Sequence, residues 1–469
     1  MPAPSIRSLD IYGLHGQHHL AVTFRSGLNI VHGQNGSGKT TLLHVLANLL
    51  DKDIERFCHI AFNTIVIRTS DDHEITLTQQ SSPETRTVIL TLDQNPLATV
   101  EKNGPVAPAV ALILEERLGG RPVYLPAFRT MLEGSVAGWR SSHHFVDSEE
   151  TRREFEVLRR REANRQRGRH PPHFYFGDIN ESVATKTIMC RQWFGPFVPI
   201  VRYPSLWDLA QELASELHSA LISLSTFDQA ALSSVFVNVL QAALTPQESA
   251  SHGTVDQAAS ALRESLENLQ GAYATAPDAY ARIAEFITGP ITTPSPNEKL
   301  IKEILRIYAD AVRERVKAQN EAFRILKTFE DSVNRFLTEK KLALGNARTG
   351  PRGSDTIIQL EDGHVYPLNV LSSGERHVLT LLFCATHMSE SDGTVLIDEP
   401  ELSLHIDWQR IILNELVKQA GDRQIIVCTH ATEVAADHRD ALVPLQTAKW
   451  TEQPALFDPR DLAEERTDA

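Results

Sequence analysis

At 469 residues, with 42% hydrophobic and 23% charged side chains, the chain has the composition of a globular protein of two or three domains. Its net charge of −14 argues against indiscriminate nucleic-acid binding by the whole surface, while leaving room for a local basic groove. No apolar stretch approaches the ~20 residues of a membrane span, and the N-terminus lacks the apolar core of a secretion signal. Four scattered cysteines, Cys58, Cys190, Cys384 and Cys428, predict a reduced, cytoplasmic protein.

From the N-terminus, Ser5–Tyr12, His19–Phe24 and Leu28–Val31 alternate in the manner of strands. Gly33-Gln34-Asn35-Gly36-Ser37-Gly38-Lys39-Thr40 then forms a complete phosphate-binding loop, running into a helix that continues through Thr41 and Leu42. Its glycines let backbone N–H groups turn inward around phosphate oxygens, and the helix N-terminus adds partial positive charge. Lys39 is placed to meet the β- and γ-phosphates of ATP and the Thr40 hydroxyl to ligate Mg²⁺. Short strands at Thr64–Thr69, Glu74–Thr78 and Thr87–Leu92 follow, separated by Asp, Ser and Pro turns. A helix over Val110–Leu118 and a strand over Pro122–Pro126 complete this part.

Beyond residue 130 the pattern is interrupted. Residues 131–205 are polar and uneven, and they carry Arg152, Arg153, Arg159, Arg160, Arg161, Arg165, Arg167 and Arg169 before Pro171-Pro172-His173-Phe174-Tyr175-Phe176. Arginines beside aromatics can grip phosphates and stack on bases. They can equally dock a protein, or form a solvated helix paired with its own glutamates, and the residues leave all three open. His143-His144 has no third ligand nearby and predicts no metal site. Residues 206–345 are helical, with apolar residues at three- and four-residue spacing over Leu206–Leu224, Ala230–Ala243, Val255–Leu269 and Ala276–Phe286. Asn297–Lys341 then reads as one helix of roughly 65 Å. Its apolar seam is broken at Gln319 and no second helix of equal length is expected, so the segment predicts a short arm or bundle.

Three further motifs follow a strand at Thr356–Leu360. Leu371-Ser372-Ser373-Gly374-Glu375 pairs small hydroxyl residues and a glycine with a helix N-terminus, a second anion-binding device. The same residues also serve as an ordinary helix start with Ser373 as cap. Thr394–Pro400 is an apolar strand ending on two acids, of which Asp398 suits the Mg²⁺ shell and Glu399 the polarising of an attacking water. Gln424–His430 is a β-branched strand ending on a histidine.

In that order the four motifs resemble the ATP-binding-cassette ATPase head, and more narrowly its branch of chromosome-maintenance, recombination-repair and "overcoming lysogenization defect" (OLD) ATPases. Asp398-Glu399-Pro400-Glu401-Leu402-Ser403-Leu404-His405 matches the Asp-Glu-Pro-Glu-x-x-Leu-His form typical of OLD-like ATPases in bacterial defence systems, similar to the PARIS and Septu ATPases. The resemblance covers about residues 5–130 and 356–435. It implies an α/β fold, a mixed β-sheet with flanking helices and an antiparallel β-subdomain, interrupted by a helical arm. The parts would be 1–130 and 346–469 for the head, 131–205 for the arginine-rich insertion and 206–345 for the arm.

The resemblance also implies roles. Gly33, Gln34, Asn35, Gly36, Ser37, Gly38, Lys39, Thr40 and Thr41 would bind nucleotide, with Thr40 and Asp398 on Mg²⁺. Glu399 would be the catalytic carboxylate and His430 the switch histidine, with the D-loop at residues 401–405. Ser372, Ser373, Gly374 and Glu375 would close over the ATP of a second copy, in a homodimer or higher homo-oligomer. The signature reads Leu-Ser-Ser-Gly-Glu rather than Leu-Ser-Gly-Gly-Gln, as is common in this branch. The best location for a glutamine loop is Tyr124–Arg129, with Arg129 as ligand. The tail beyond His430 is too short for the nuclease domain of OLD-type nucleases. The expectation is therefore an ATPase subunit of an anti-phage defence complex that senses a trigger and controls a separate nuclease or toxin, with no membrane partner. The alternative is a DNA-clamping ATPase of repair or chromosome maintenance. A nucleotide-gated scaffold without turnover is disfavoured by the acid pair and His430.

Overall fold

A computed structural model describes residues 4–81, 86–128 except 103 and 105, 148–166, 177–244, 255–267, 282, 285, 298–344, 356–387 and 393–450. The chain folds into two compact units, residues 1–203 with 388–469, and residues 204–387.

The first unit holds two sheets. Strands β1 (Ile6–Leu14), β2 (His18–Thr23), β4 (Thr64–Thr69), β5 (Glu74–Ser81), β6 (Arg86–Leu92), β7 (Asn95–Glu101) and β15 (Gln446–Lys449) form a seven-stranded antiparallel sheet in the order β15-β2-β1-β4-β5-β6-β7. Alternation places Leu9, Ile11, Ile65, Ile67, Ile75 and Leu77 in one core with the apolar side of helix α1 (Lys39–Leu50). Strand β7 adds to the strands the sequence predicted, although it carries Pro96. It exists because Asp93 and Gln94 both take positive φ, the geometry of a two-residue hairpin turn, and because an edge strand tolerates proline.

The second sheet is parallel, in the order β14-β3-β13-β12-β8, from β3 (Leu28–His32), β8 (Val123–Leu125), β12 (Val395–Asp398), β13 (Ile425–Thr429) and β14 (Leu442–Pro444). Its central strands are buried apolar runs, as a sheet covered on both faces requires. Helix α2 (Pro108–Leu118) starts with proline in its first turn, where the missing N–H costs nothing. Helices α3 (Glu149–Gln166) and α4 (Gly177–Phe194) pack through Leu158, Val183, Ala184 and Ile188, and Ile200 joins that cluster.

The second unit contains α5 (Leu206–Leu244), α6 (Val255–Glu267), α7 (Glu298–Asn334), the three-stranded sheet β9 (Lys340–Leu344), β10 (Thr356–Leu360) and β11 (Val365–Tyr366), and α8 (Ser373–His387). Several expectations are corrected here. Residues 206–244 form one helix of 39 residues, not two, and it packs along the 37-residue α7, so a partner of equal length exists. The intervening Ser, Thr and Asp do not break it: the Thr226 hydroxyl donates to the Ile222 carbonyl, and Asp228 pairs with the buried Arg315 of α7 at 3.1 Å. Gln319, which interrupts the apolar seam, is hydrogen-bonded to that same Arg315. By length and composition α5 also contains an 18-residue stretch apolar enough to cross a membrane, with a mean hydropathy of 1.4, contrary to the expectation that no stretch approached that limit. Helix α7 ends earlier than its apolar pattern because Asn334 bonds the backbone N–H and carbonyl of Leu342, at 2.7 and 3.0 Å, and turns the chain into β9.

Candidate functional site

Parallel register brings the carboxyl ends of three strands together. Val31 and His32 of β3 lie beside Cys428 and Thr429 of β13, and Asp398 of β12 lies beside Cys428. That edge of a parallel sheet is where open α/β folds bind ligands. The loop from β3 to α1 begins there. Gly38 has φ 93°, and a Cβ on it would stand 2.9 Å from Leu20 Cδ1, so the helix can start here only with glycine. At Gly33 a Cβ would come within 3.1 Å of Ser37 Oγ. Lys39 is buried, and its ammonium donates to the carbonyls of Gly33 at 2.8 Å and Gln34 at 3.1 Å, which stretches it across the loop. Ser37 Oγ is buried without a hydrogen-bond partner, an orphan that fits an oxyanion seated in the loop. Gln34, Asn35 and Gly36 are exposed on the loop's outer side, and Thr41 is half-buried in the first turn of α1.

The Thr40 hydroxyl donates to Asp398 Oδ2 at 2.8 Å. Two hard oxygen donors side by side at the mouth of a phosphate loop suit Mg²⁺. One residue on, Glu399 has φ 48°, an unusual backbone for a side chain this long, and its N–H donates to the Cys428 carbonyl at 2.8 Å. Its carboxylate is hydrogen-bonded to His430 Nδ1. Glu401 Oε1 accepts from the Thr429 hydroxyl and from the N–H groups of His430 and Ala431, both at 3.2 Å, and lies 3.4 Å from His430 Nδ1. One ligating atom from each of Glu399, Glu401 and His430 lies within 4.8 Å of the other two, so this trio could also hold a cation. Burial pushes the Glu399 carboxyl up to about 7; the hydrogen bond and charge of Glu401 add to the rise and His430 pulls against it. Burial, with the charge of Asp398, holds the Cys428 thiol well above its ordinary value, so it is an inert core group.

The sequence places Glu401 at the start of the D-loop but gives it no role beside His430, and it does not single out Thr429. The available signal was the repeat of acids across Pro400, which sets Glu399 and Glu401 on successive corners of one turn.

Ser372, Ser373, Gly374 and Glu375 belong to the second unit, not to the one that holds the loop. The helix cap is Ser372 rather than Ser373. The Ser372 N–H donates to Glu375 Oε2 at 2.6 Å and the Glu375 N–H to Ser372 Oγ at 3.3 Å, a reciprocal capping box. Lys340 reaches both Glu375 oxygens, at 3.1 and 3.0 Å. Burial works against ionising Glu375, but the Ser372 N–H and Lys340 outweigh it and lower its carboxyl. Ser372 and Ser373 are left exposed on the helix start.

The arginines of α3 divide. Arg159 and Arg160 are exposed and lie 3.1 and 3.8 Å from Glu156. Arg161 turns inward, bonding the Asp51 carbonyl and lying 3.6 Å from Asp53 just past the end of α1. Around it, Arg202 pairs with Asp51 and Glu162 at 2.8 and 2.9 Å, Arg191 with Asp53 at 3.1 Å and Glu154 at 2.5 Å, and Arg56 with Glu154 at 3.1 Å. Burial opposes ionisation of Asp53, yet Arg161, Arg191 and Arg56 keep its carboxyl below the ordinary value. The side chain of Arg165, residues 167–176 with their aromatic run, His143-His144 and Arg129 lie outside the described residues.

Two family models match the chain. One described as "AAA domain" covers residues 6–106, and one described as "AAA domain, putative AbiEii toxin, Type IV TA system" covers residues 258–436. Over these two stretches the chain is similar to AAA domains. A relative from Escherichia coli, "Retron Ec83 probable ATPase", is 28% identical over 153 residues, which span 29% of this chain and only 27% of that protein. Among solved structures, the Smc head domain with an extended coiled coil from Pyrococcus furiosus aligns with a TM-score of 0.38 at 12% identity, covering 95% of this chain and 96% of that one. The Smc head with coiled coil and joint from Pyrococcus yayanosii gives 0.39 at 14% identity, covering 98% and 99%.

Proposed function

We propose that the strand edge binds ATP with Mg²⁺ and hydrolyses it to ADP and phosphate. We also propose that the chain is the ATPase subunit of a prokaryotic anti-phage defence complex, controlling a separate nuclease or toxin. The observation that carries the chemistry is the convergence of three sequence-distant segments on one edge: the loop ending in Lys39-Thr40, the pair Asp398-Glu399, and His430. In this reading the N–H groups of residues 36–41 and the Lys39 ammonium hold the phosphates. Mg²⁺, held by Thr40 and Asp398, would neutralise charge on the phosphate oxygens. Glu399 accepts a proton from the attacking water, and its raised carboxyl value suits a base working near neutral pH. His430, bonded to Glu399, fixes the direction of that carboxylate.

Ser373, exposed at the helix start, and the buried Gly374 next to it would act on the ATP of a second copy, so two chains pair about a two-fold axis. The defence role draws support from the Asp-Glu-Pro-Glu-x-x-Leu-His segment and from the likeness to a retron's ATPase. The four cysteines are all buried, which suits a reducing cytoplasm.

Purified protein should release phosphate from ATP, and Lys39→Ala should bind ATP weakly and release little. Cells carrying the gene with its genomic neighbours should resist phage and lose that resistance with Lys39→Ala. No hydrolysis by the parent refutes the chemistry. Undiminished protection by Lys39→Ala refutes the link to defence.

A further inference from the structure

We infer that Glu401 is a positioning residue for hydrolysis: its buried carboxylate brackets the turn after β13 and thereby aims His430 at Glu399. The inference rests on the reading of this edge as an ATP-hydrolysing site.

Strand β13 ends on Thr429, and the chain must turn at once to bring the His430 side chain to the edge. Leaving the strand frees the N–H groups of His430 and Ala431 from the ladder. Both find the same acceptor, Glu401 Oε1. The Thr429 hydroxyl donates to that oxygen as well, and itself accepts from the Ala431 N–H at 2.9 Å. Thr429 is fully buried, so its hydroxyl direction is set by the strand and not by solvent. One carboxylate oxygen therefore gathers three donors from three successive residues, and charge-assisted bonds of this kind are roughly twice as strong as neutral ones. Because Glu401 follows Glu399 across Pro400, the turn carrying the base and the turn carrying the histidine are joined by a single side chain.

Burial separates the roles of the two acids. The Glu401 side chain is only 5% exposed and its Oε1 is already committed to donors, whereas Glu399 is 15% exposed and faces the imidazole. Glu401 thus holds the geometry and Glu399 meets the water. In sequence, the motif Asp-Glu-Pro-Glu encodes metal ligand, base, turn and bracket in consecutive positions.

The test uses the full chain with ATP and Mg²⁺. Glu401→Ala should lower kcat about tenfold or more while KM and the Kd for ATP stay within about threefold. Glu401→Gln keeps an acceptor oxygen for the two N–H groups and should recover most of kcat. Independently of turnover, hydrogen exchange at the His430 and Ala431 amides should quicken in Glu401→Ala and stay near parental in Glu401→Gln. Parental kcat in Glu401→Ala overturns the inference, as does a Gln variant as inactive as the Ala variant, or a parallel loss of ATP affinity. Should Glu401→Ala fail to fold, Thr429→Val decides: reduced kcat at unchanged KM supports the bracket, and unchanged kcat refutes it. A parent without ATPase activity would sink the underlying reading of the site, while the exchange measurement would still judge the bracket.

Discussion

Helix α1 has a charged cluster beyond each end, and the two are built on opposite rules. Past its C-terminus, Asp51, Asp53, Glu154 and Glu162 meet Arg56, Arg161, Arg191 and Arg202 in a buried network where each acid has a cation within 3.1 Å. At its N-terminus, Asp398, Glu399 and Glu401 crowd one another beside Lys39 and His430, and Glu399 rises to about 7. Compensated charge locks helices α3 and α4 against the end of α1. An excess of acids, with an orphan hydroxyl in the phosphate loop, suits a place where a ligand brings charge and hydrogen bonds of its own. Similar residue types thus serve as scaffold at one end and as chemistry at the other, and the balance of sign distinguishes them.

The compensated end should break most severely. Arg202→Ala leaves Asp51 and Glu162 buried without their cation and should cost about 3–5 kcal/mol, read from the denaturant midpoint. The exposed Arg160→Ala should cost about 0.5 kcal/mol or less. Equal losses from the two would dissolve the distinction between network and surface.

At the uncompensated end, the missing partner is proposed to include Ser373 of a second copy. Ser373→Arg should cut turnover about a hundredfold with ATP binding retained, since it blocks only what forms between two chains. Turnover per chain should also climb with protein concentration. A strictly monomeric protein with a concentration-independent rate contradicts this pairing.

The smallest effect tests a buried carboxyl elsewhere. Burial pushes the Glu330 carboxyl up to about 7, against the pull of a hydrogen bond from the Leu344 N–H. Its folded value exceeds its unfolded one, so its contribution is fully present below about pH 4.5 and is lost as pH rises through about 7. Glu330→Gln should therefore stabilise the protein at pH 8 by about 1 kcal/mol or less, allowing for solvent screening, and change little near pH 5. A thermal melt at the two pH values reads the difference, and a Gln variant less stable than the parent at pH 8 would contradict the sign.

Where the sequence was legible, local chemistry dictated the structure. Apolar strands ending on Gly33, Asp398-Glu399 and His430 can only deliver those residues to a strand edge, and parallel register did the rest. What was not legible depended on partners far along the chain. Arg161 looks like its exposed neighbours until Asp51 and Asp53 come beside it from the end of α1. The 39-residue α5 reads as two helices because the polar run around Asp228 looks like a break until Arg315 pairs with it. Glu401 is a D-loop residue by motif alone, and its hold on the His430 turn emerges only with the register of β12 on β13. In the signature segment the fifth residue is turned to Ser372 and Lys340, a local role in capping that a motif comparison does not reveal.

The central claim is that the crowded edge hydrolyses ATP with Glu399 as its base, and Glu399→Gln tests it most directly. The variant keeps the phosphate loop, Thr40 and Asp398, so it should bind ATP about as tightly as the parent. It loses the proton acceptor, so phosphate release in a single turnover should slow about a hundredfold or more. Tight binding with hydrolysis at the parental rate would contradict the assignment.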